Sequence, residues 1–512
     1  MSAEAAKKWP ETEQIPVAPH AGRGYPENDS DRAVRFAERF GADLRYVSCW
    51  KSWLQWDGTR WVRDTDGAVM RKAQKMSHLL LDEAAQIGNF NERKRAANLA
   101  LKAGDVQKLK AMIELAGAQP GIAADPEMFD SDPYLLGVKN GVVDLRTGEF
   151  RQALKEDYLT MQAGTEYNAE ATCPQWEAFL RDIFNGDDSL ISFVQCAVGY
   201  SLTGLTVEQV LFFLYGTGRN GKSTKTETLQ ALLGDYAQHA PAALFVSNRN
   251  GNEPEKEIAR LKGVRFVVGS EIEEGSKLAE SRVKDLTGQD TLTGRFLYGS
   301  PFDFKPTHKL WIFGNHKPDV SGTDLGIWRR MRLVPFEVQI PEAKIDPQLP
   351  TKLLTELPGI LNWAIKGCLR WKKEGLVVPQ RVKIATAEYQ DEEDELGEFI
   401  QERCVLGPNE KIERPVLHRS YLDWIGPRVA RMGAKTFNKR MRAREGIKEF
   451  KSSDRFWHGI GLKPDPDETP VCQSPARPAP IARTSSPAGT APSRAVGQKN
   501  GSFPQTSLVT QK

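Results

Sequence analysis

The sequence predicts an α/β protein, with a parallel-sheet core carrying a phosphate-binding loop. An α+β module precedes the core and a basic, winged-helix-like module follows it. Three observations carry that reading. Short apolar runs at Val210–Tyr215, Arg265–Ser270, Lys309–Asn315 and Arg332–Val338 alternate with helical or looped stretches, the pattern of strands covered on both faces. The first run leads into Gly216-Thr217-Gly218-Arg219-Asn220-Gly221-Lys222-Ser223-Thr224, which fits Gly-x-x-x-x-Gly-Lys-Ser. Residues 411–460 hold 13 Lys/Arg against 5 Asp/Glu.

Composition sets the frame. The chain has 512 residues, 70 Lys+Arg and 67 Asp+Glu, which excludes a histone-like polycation and an acidic disordered chain. No apolar run is long enough to span a membrane, and the N-terminus lacks the apolar core of an export signal, so a cytoplasmic protein is expected. Six scattered cysteines, with no Cys-x-x-Cys pair, read as reduced thiols without a structural metal.

Residues 1–30 are polar and read as a loose leader. Trp53–Val62 alternates around Asp57-Gly58 and predicts a two-residue hairpin. Ala68 to Ala116 is helical in period. Val138-Lys139-Asn140-Gly141-Val142 and Thr147-Gly148 signal two further turns, which closes an α+β module over 31–165. Two helices are expected from Pro174 to Thr203, at the start of a core over 166–345. Residues 346–379 read as a helical connector and 380–463 as the basic module. The Pro-rich stretch 464–512 cannot bury enough apolar surface to order.

The glycines of 216–223 let the backbone curl so that several N–H groups face one anion, with Lys222 reaching the β- and γ-phosphates and Ser223 placed for Mg²⁺. A helix starting there aims its positive end at the phosphates. Ser270-Glu271 ends the second apolar run, where a carboxylate can polarise water or touch the metal through water; Glu273 and Glu274 are alternatives. Asn315 ends the third run, placed to orient water and sense the γ-phosphate. Arg330, then Arg329, then Arg332 are candidates for a guanidinium that stabilises charge on the transferring phosphoryl group of a neighbour's site.

In the basic module, Thr436 to Arg444 reads as a recognition helix bearing Lys439, Arg440, Arg442 and Arg444, with Lys435 before it. Such a helix suits phosphate contacts, which give affinity without sequence information.

The strings LFFLYGTGRNGKST, VVGSEIEEG, LTGQDTLTGRFLYGSPFDFKPTHKLWIFGNHKP and GTDLGIWRRMRLVPF, in that order, resemble a superfamily 3 helicase. The likeness is closer to the helicase part of phage and plasmid primase–helicases, which are related to poxvirus-type NTPases. It extends upstream through RYVSCWKSWLQWDGTRWVRD and LLGVKNGVVDLRTGEF, and covers about 31–463. The resemblance implies an AAA+-like hexameric ring that takes ATP and Mg²⁺ between subunits. Lys222, Ser223, Glu271 and Asn315 would lie on one side, with Arg330 or Arg329 reaching in from the next copy. It implies a channel hairpin over roughly Thr293–Lys305, with Arg295, Tyr298 and Lys305 facing single-stranded or forked DNA. A primase or initiator would be a separate partner, and no primase domain is assigned to this chain. For a phage- or plasmid-encoded protein the compartment would be the bacterial cytoplasm. Two rivals share the phosphate loop: an ATP-switch initiator that binds DNA without unwinding it, and a small-molecule kinase.

Overall fold

The computed structural model describes residues 25–247, 255–296, 299–320, 325–426, 432–451 and 455–464. Most of the expected leader and tail, and Tyr298, lie outside them.

The first helix is α1 (Asp29–Phe40), whose start is fixed by Asn28: its Oδ1 accepts the Asp31 N–H at 2.8 Å. The strands β1 (Leu44–Val47), β2 (Ser52–Trp56) and β3 (Trp61–Arg63) form an antiparallel sheet, followed by α2 (Ala68–Ala85), α3 (Phe90–Ala103) and α4 (Val106–Ala116). Phe36, Leu44, Met76, Leu80 and Met112 share the core of this unit. The β2–β3 connection spans residues 57–60 and is longer than the two-residue turn expected. The cause is Asp57, whose Oδ1 accepts the N–H groups of Thr59 and Arg60. The Asp64 carboxylate accepts the Ala68 and Val69 N–H groups and so caps α2.

A second antiparallel sheet, β4 (Leu135–Val138), β5 (Gly141–Asp144) and β6 (Glu149–Arg151), turns at the two predicted sites. It does not belong to the N-terminal core. Leu136, Val138, Val143 and Leu145 are buried with Trp176, Phe193, Leu361 and Cys368 in the central core, so the expected boundary at 165 cuts through packed structure.

The helices α5 (Pro174–Ile183) and α6 (Asp188–Leu202) lead into the central sheet. Its members are β7 (Leu211–Tyr215), β8 (Ala237–Ala240), β9 (Phe266–Gly269), β12 (Lys309–Gly314) and β13 (Met331–Pro335). Between them lie α7 (Lys222–Leu233), α8 (Glu255–Ala259), α9 (Glu280–Thr287), the hairpin β10 (Leu292–Gly294) with β11 (Phe302–Phe304), and α10 (Leu325–Trp328). The sheet order is β13-β7-β12-β9-β8 and every pairing is parallel. Alternation sends Phe212, Leu214 and Trp311 to one face and Leu211, Phe213 and Ile312 to the other, each into its own core. Arg265 and Lys309, buried at the opposite ends of β9 and β12 from the loop, donate to carbonyls at the end of α6: Arg265 to Leu202 at 2.6 Å, Lys309 to Thr203 and to Leu205 at 3.2 Å. The Arg265 guanidinium there complements the negative end of the helix.

The expected connector is instead part of the core. After α11 (Leu349–Thr355), α12 (Leu357–Glu374) lies against α6 so closely that a Cβ on Gly199 would collide with the Cys368 N, and one on Gly367 with the Gln195 carbonyl. The remaining elements are α13 (Gln380–Glu392), α14 (Glu395–Arg403), β14 (Cys404–Glu413), α15 (Arg414–Ile425), α16 (Ala434–Arg442), β15 (Lys448–Lys451) and β16 (Arg455–Leu462). From α14 onward they enclose a separate core of Phe399, Leu417, Tyr421, Phe437, Met441 and Trp457, over a sheet ordered β14-β16-β15.

Candidate nucleotide site

The loop between β7 and α7 curls through left-handed conformations at Gly218 (φ +98°), Arg219 (φ +48°) and Gly221 (φ +81°). A Cβ on Gly216 would strike the Phe336 carbonyl and the Asn220 amide. The loop is braced from behind by the chain that leaves β13. Buried Asn220 donates to the Phe336 carbonyl at 3.1 Å, Ile340 N–H donates to the Arg219 carbonyl at 2.9 Å, and Gln339 donates to Thr217 Oγ1 at 3.2 Å. Asn220 is therefore a strut of the loop. The strap 336–340 begins inside the apolar run Arg332–Val338, where the strand itself ends at Pro335, and was not among the expected site residues.

Lys222 opens α7, its side chain buried across the loop. Its Nζ donates to the Gly216 carbonyl and to Asn315 Oδ1 at 3.2 Å. Burial lowers its pKa, and the Glu271 carboxylate opposes that shift. Ser223 is exposed at the first turn and Thr224 half-buried beside it, with the Thr224 carbonyl accepting from Thr228 Oγ1 at 2.8 Å. Glu271 is exposed just past β9, and its Oε1 accepts the Asn315 N–H at 3.2 Å. Lys222, Glu271 and Asn315 thus meet at the carboxyl ends of β7, β9 and β12, three neighbouring strands. Ser270 is turned to the sheet edge, 3.3 Å from His239 Nε2 and 3.2 Å from the Ala240 carbonyl. Glu273 and Glu274 are exposed in the turn beyond; Glu274 lies 4.0 Å from His316 Nδ1.

The three arginines separate. Arg330 is buried in its own chain, donating to the Gly326 carbonyl at 2.9 Å and to Gln209 Oε1 at 3.3 Å. Arg332 donates to the carbonyls of Arg329 and Met331, and burial lowers its pKa against the opposing charge of Glu208. Arg329 is exposed. The sequence preference for Arg330 misses the turn between α10 and β13, in which residue 330 is buried and residue 329 exposed.

The β10–β11 hairpin forms where expected, Leu292 pairing with Phe304 and Gly294 with Phe302. Arg295 is exposed and ion-paired with Glu255 at 2.9 Å; Lys305 is exposed. Phe296, half-exposed at the tip and stacked on Phe302 with centroids 5.5 Å apart, is an aromatic that the sequence reading passed over. In the C-terminal module Lys435 and Lys439 are exposed and Arg440 is half-buried. Arg442 pairs with Glu449 at 2.6 Å and Arg444 pairs with Asp394, so these two cations serve the module's own fold.

Among the described residues no cluster of three or more His, Cys, Asp or Glu could hold a metal ion, and no helix is long and apolar enough to cross a membrane. The five described cysteines are free thiols.

Comparison with known proteins gives these features a family context. Residues 33–185 match the family described as D5 N terminal like, and residues 214–330 match a family of unknown function (DUF5906). The chain is 27% identical to "Putative helicase L207/L206" of Acanthamoeba polyphaga mimivirus, across 73% of this chain and 43% of that protein. It is 27% identical to "Putative helicase 022R" of Frog virus 3 (73% and 52%) and 26% identical to "Putative primase C962R" of African swine fever virus (55% and 32%). The chain thus spans about half or less of the length of these relatives. The apo structure of the NrS-1 C-terminal region aligns over 85% of this chain and 100% of that one, at 11% identity and a TM-score of 0.45. In its D5 N-terminal-like segment and in its relatives from large DNA viruses named putative helicase or primase, the chain is similar to D5-like primase–helicases.

Proposed function

We propose that this chain is an ATP-hydrolysing DNA helicase of replication that works as a hexameric ring with ATP between neighbouring subunits. The observation that carries the reading is the convergence of Lys222, Glu271 and Asn315 at the ends of three adjacent parallel strands beside a glycine-curled loop. The strand order supports an AAA+-like core. The order of α14 to β16 around one small sheet supports a winged-helix-like module. The relatives' names support a helicase or primase context.

In this reading the N–H groups of 216–223 and the Lys222 ammonium hold the triphosphate. The exposed Ser223 hydroxyl and the Glu271 carboxylate are oxygen donors of the kind a hard cation takes, so they fit Mg²⁺. When bound, Mg²⁺ neutralises charge on the phosphates. Glu271 polarises the attacking water, and Asn315 orients it while holding Lys222. Arg329, the exposed member of its trio, reaches the neighbour's site; Arg330 is the less favoured candidate because its guanidinium is committed within its own chain. Arg295, Lys305 and the Phe296 ring face single-stranded DNA on the β10–β11 hairpin, where cations grip phosphates and a ring stacks on a base. Lys435, Lys439 and Arg440 contact duplex or forked DNA. A primase or initiator would act as a separate partner.

The test is ATP hydrolysis measured with and without single-stranded DNA, alongside particle mass with nucleotide present. Stimulation by DNA in a six-copy particle supports the reading. A monomer hydrolysing at full rate, indifferent to DNA, overturns it and favours a small-molecule kinase.

A further inference from the structure

The segment that follows Asn315 is held by α13, which lies against the β13 edge of the sheet and whose Thr386 Oγ1 accepts the Leu333 N–H at 3.1 Å. Tyr389 on α13 is fully buried. Its hydroxyl donates to the Pro318 carbonyl, three residues past Asn315. Its ring meets Trp328 edge-on, with centroids 5.1 Å apart, and Trp328 directly precedes Arg329. One side chain therefore touches both the segment that carries the γ-phosphate sensor and the turn that carries the exposed arginine.

Lys317 completes the junction. Its Nζ lies 5.2 Å from the Tyr389 ring centre and 5.0 Å from that of Tyr215, the residue before Gly216. It also pairs with Glu392 of α13 at 2.6 Å. The next residue of α13's end, Glu393, accepts the Val320 N–H at 2.8 Å. A cation between two rings, paired with a carboxylate, resists displacement of any one partner alone. Movement of the phosphate loop or of Asn315 on nucleotide binding must then be shared with α13 and Trp328.

We propose that Tyr389 and Lys317 are positioning residues that transmit the state of one subunit's nucleotide site to the arginine turn it presents to the next subunit. This rests on the shared-site reading above. It adds to that reading a physical link, within one subunit, between the site it owns and the site it completes.

The test uses the full chain and two variants, Tyr389→Phe, which keeps the ring but removes the hydroxyl, and Lys317→Met, which keeps the length but removes the charge. Nucleotide affinity is read by direct binding of a fluorescent ATP analogue, and cooperativity from the ATP dependence of turnover. The wild type is expected to show a Hill coefficient above 1. Both variants are expected to fall to about 1, since the coupling between sites is what exceeds unity. Their kcat should drop roughly 10-fold or more through a misplaced arginine, with the analogue's Kd within about twofold of wild type. Wild-type cooperativity and turnover in both variants would overturn the link while leaving the shared site intact. So would a parallel loss of affinity and turnover, which marks the pair as a support of their own site only. A wild-type chain that hydrolyses ATP as a monomer would remove the ring reading itself, and the link with it.

Discussion

Lys222 Nζ and Asn315 Oδ1 stand 3.2 Å apart, joining the phosphate loop to the tip of the neighbouring strand. The same asparagine gives its backbone N–H to Glu271. The Lys222 ammonium donates to the Gly216 carbonyl and to this side-chain amide. Lys222→Ala is expected to lower ATP turnover by at least ~10²-fold, the cost of removing one preorganised donor, while circular dichroism and melting temperature stay near wild type. Near-normal hydrolysis would remove the phosphate-loop assignment.

Glu271→Gln separates binding from chemistry. The amide can still meet the Asn315 N–H but cannot polarise water as a carboxylate does. Turnover should fall about 10²-fold or more with ATP affinity retained, as measured by single-turnover kinetics and equilibrium binding. Equal losses in the Glu273→Gln variant would move the role into the turn.

Arg329 and Arg330 should respond differently because only one is committed inward. Arg329→Ala is expected to lose turnover without loss of melting temperature, and to regain activity when mixed with Lys222→Ala subunits, since each supplies what the other lacks. Arg330→Ala removes the buried guanidinium's hydrogen bonds to the Gly326 carbonyl and to Gln209, and is expected to cost on the order of 1–3 kcal/mol of stability in thermal unfolding. A stable Arg330→Ala protein that complements Lys222→Ala would return the trans role to Arg330.

Lys225, two residues past Ser223, is fully buried over the Trp311 ring at 4.3 Å, and burial alone pulls its pKa down to about 7. The unfolded chain binds that proton more tightly, so stability should rise with pH between about 7 and the ordinary lysine range. Lys225→Met removes the ionisation cost. Its gain should be larger at pH 7 than at pH 9.5 by about 1–3 kcal/mol, read from denaturant unfolding at the two values. A gain independent of pH would mean that the ammonium is better solvated than its burial implies.

Paired Lys435→Ala and Lys439→Ala substitutions should weaken DNA binding uniformly across sequences and reduce the salt dependence of affinity by about one phosphate contact each, read by titration at several ionic strengths. An unchanged slope would make this helix face a solvated surface.

How much of this was legible in sequence follows burial. β7, β9, β12 and β13 announce themselves because strands covered on both faces must be apolar throughout. β8 does not, since Ala237–Ala240 is an edge strand whose His239 is exposed. Gly216 to Ser223 is legible because backbone curl, lysine and hydroxyl are all dictated by one anion. The bracing by the Phe336 carbonyl and the Ile340 N–H is not, because backbone groups leave no residue signature. The same holds for the α6–α12 packing, where Gly199 and Gly367 matter only once the two helices meet. Arg329 against Arg330 was decided by the turn before β13, which buries one and exposes the other and which the run of arginines does not reveal.

The most direct measurement is ATP-dependent strand separation on a forked duplex, wild type beside Lys222→Ala. Separation by the wild type alone, at a rate that follows ATP hydrolysis, is the expected result. Wild-type protein that binds the fork and hydrolyses ATP yet leaves the strands paired would contradict the account and identify an ATP-controlled switch in place of a motor.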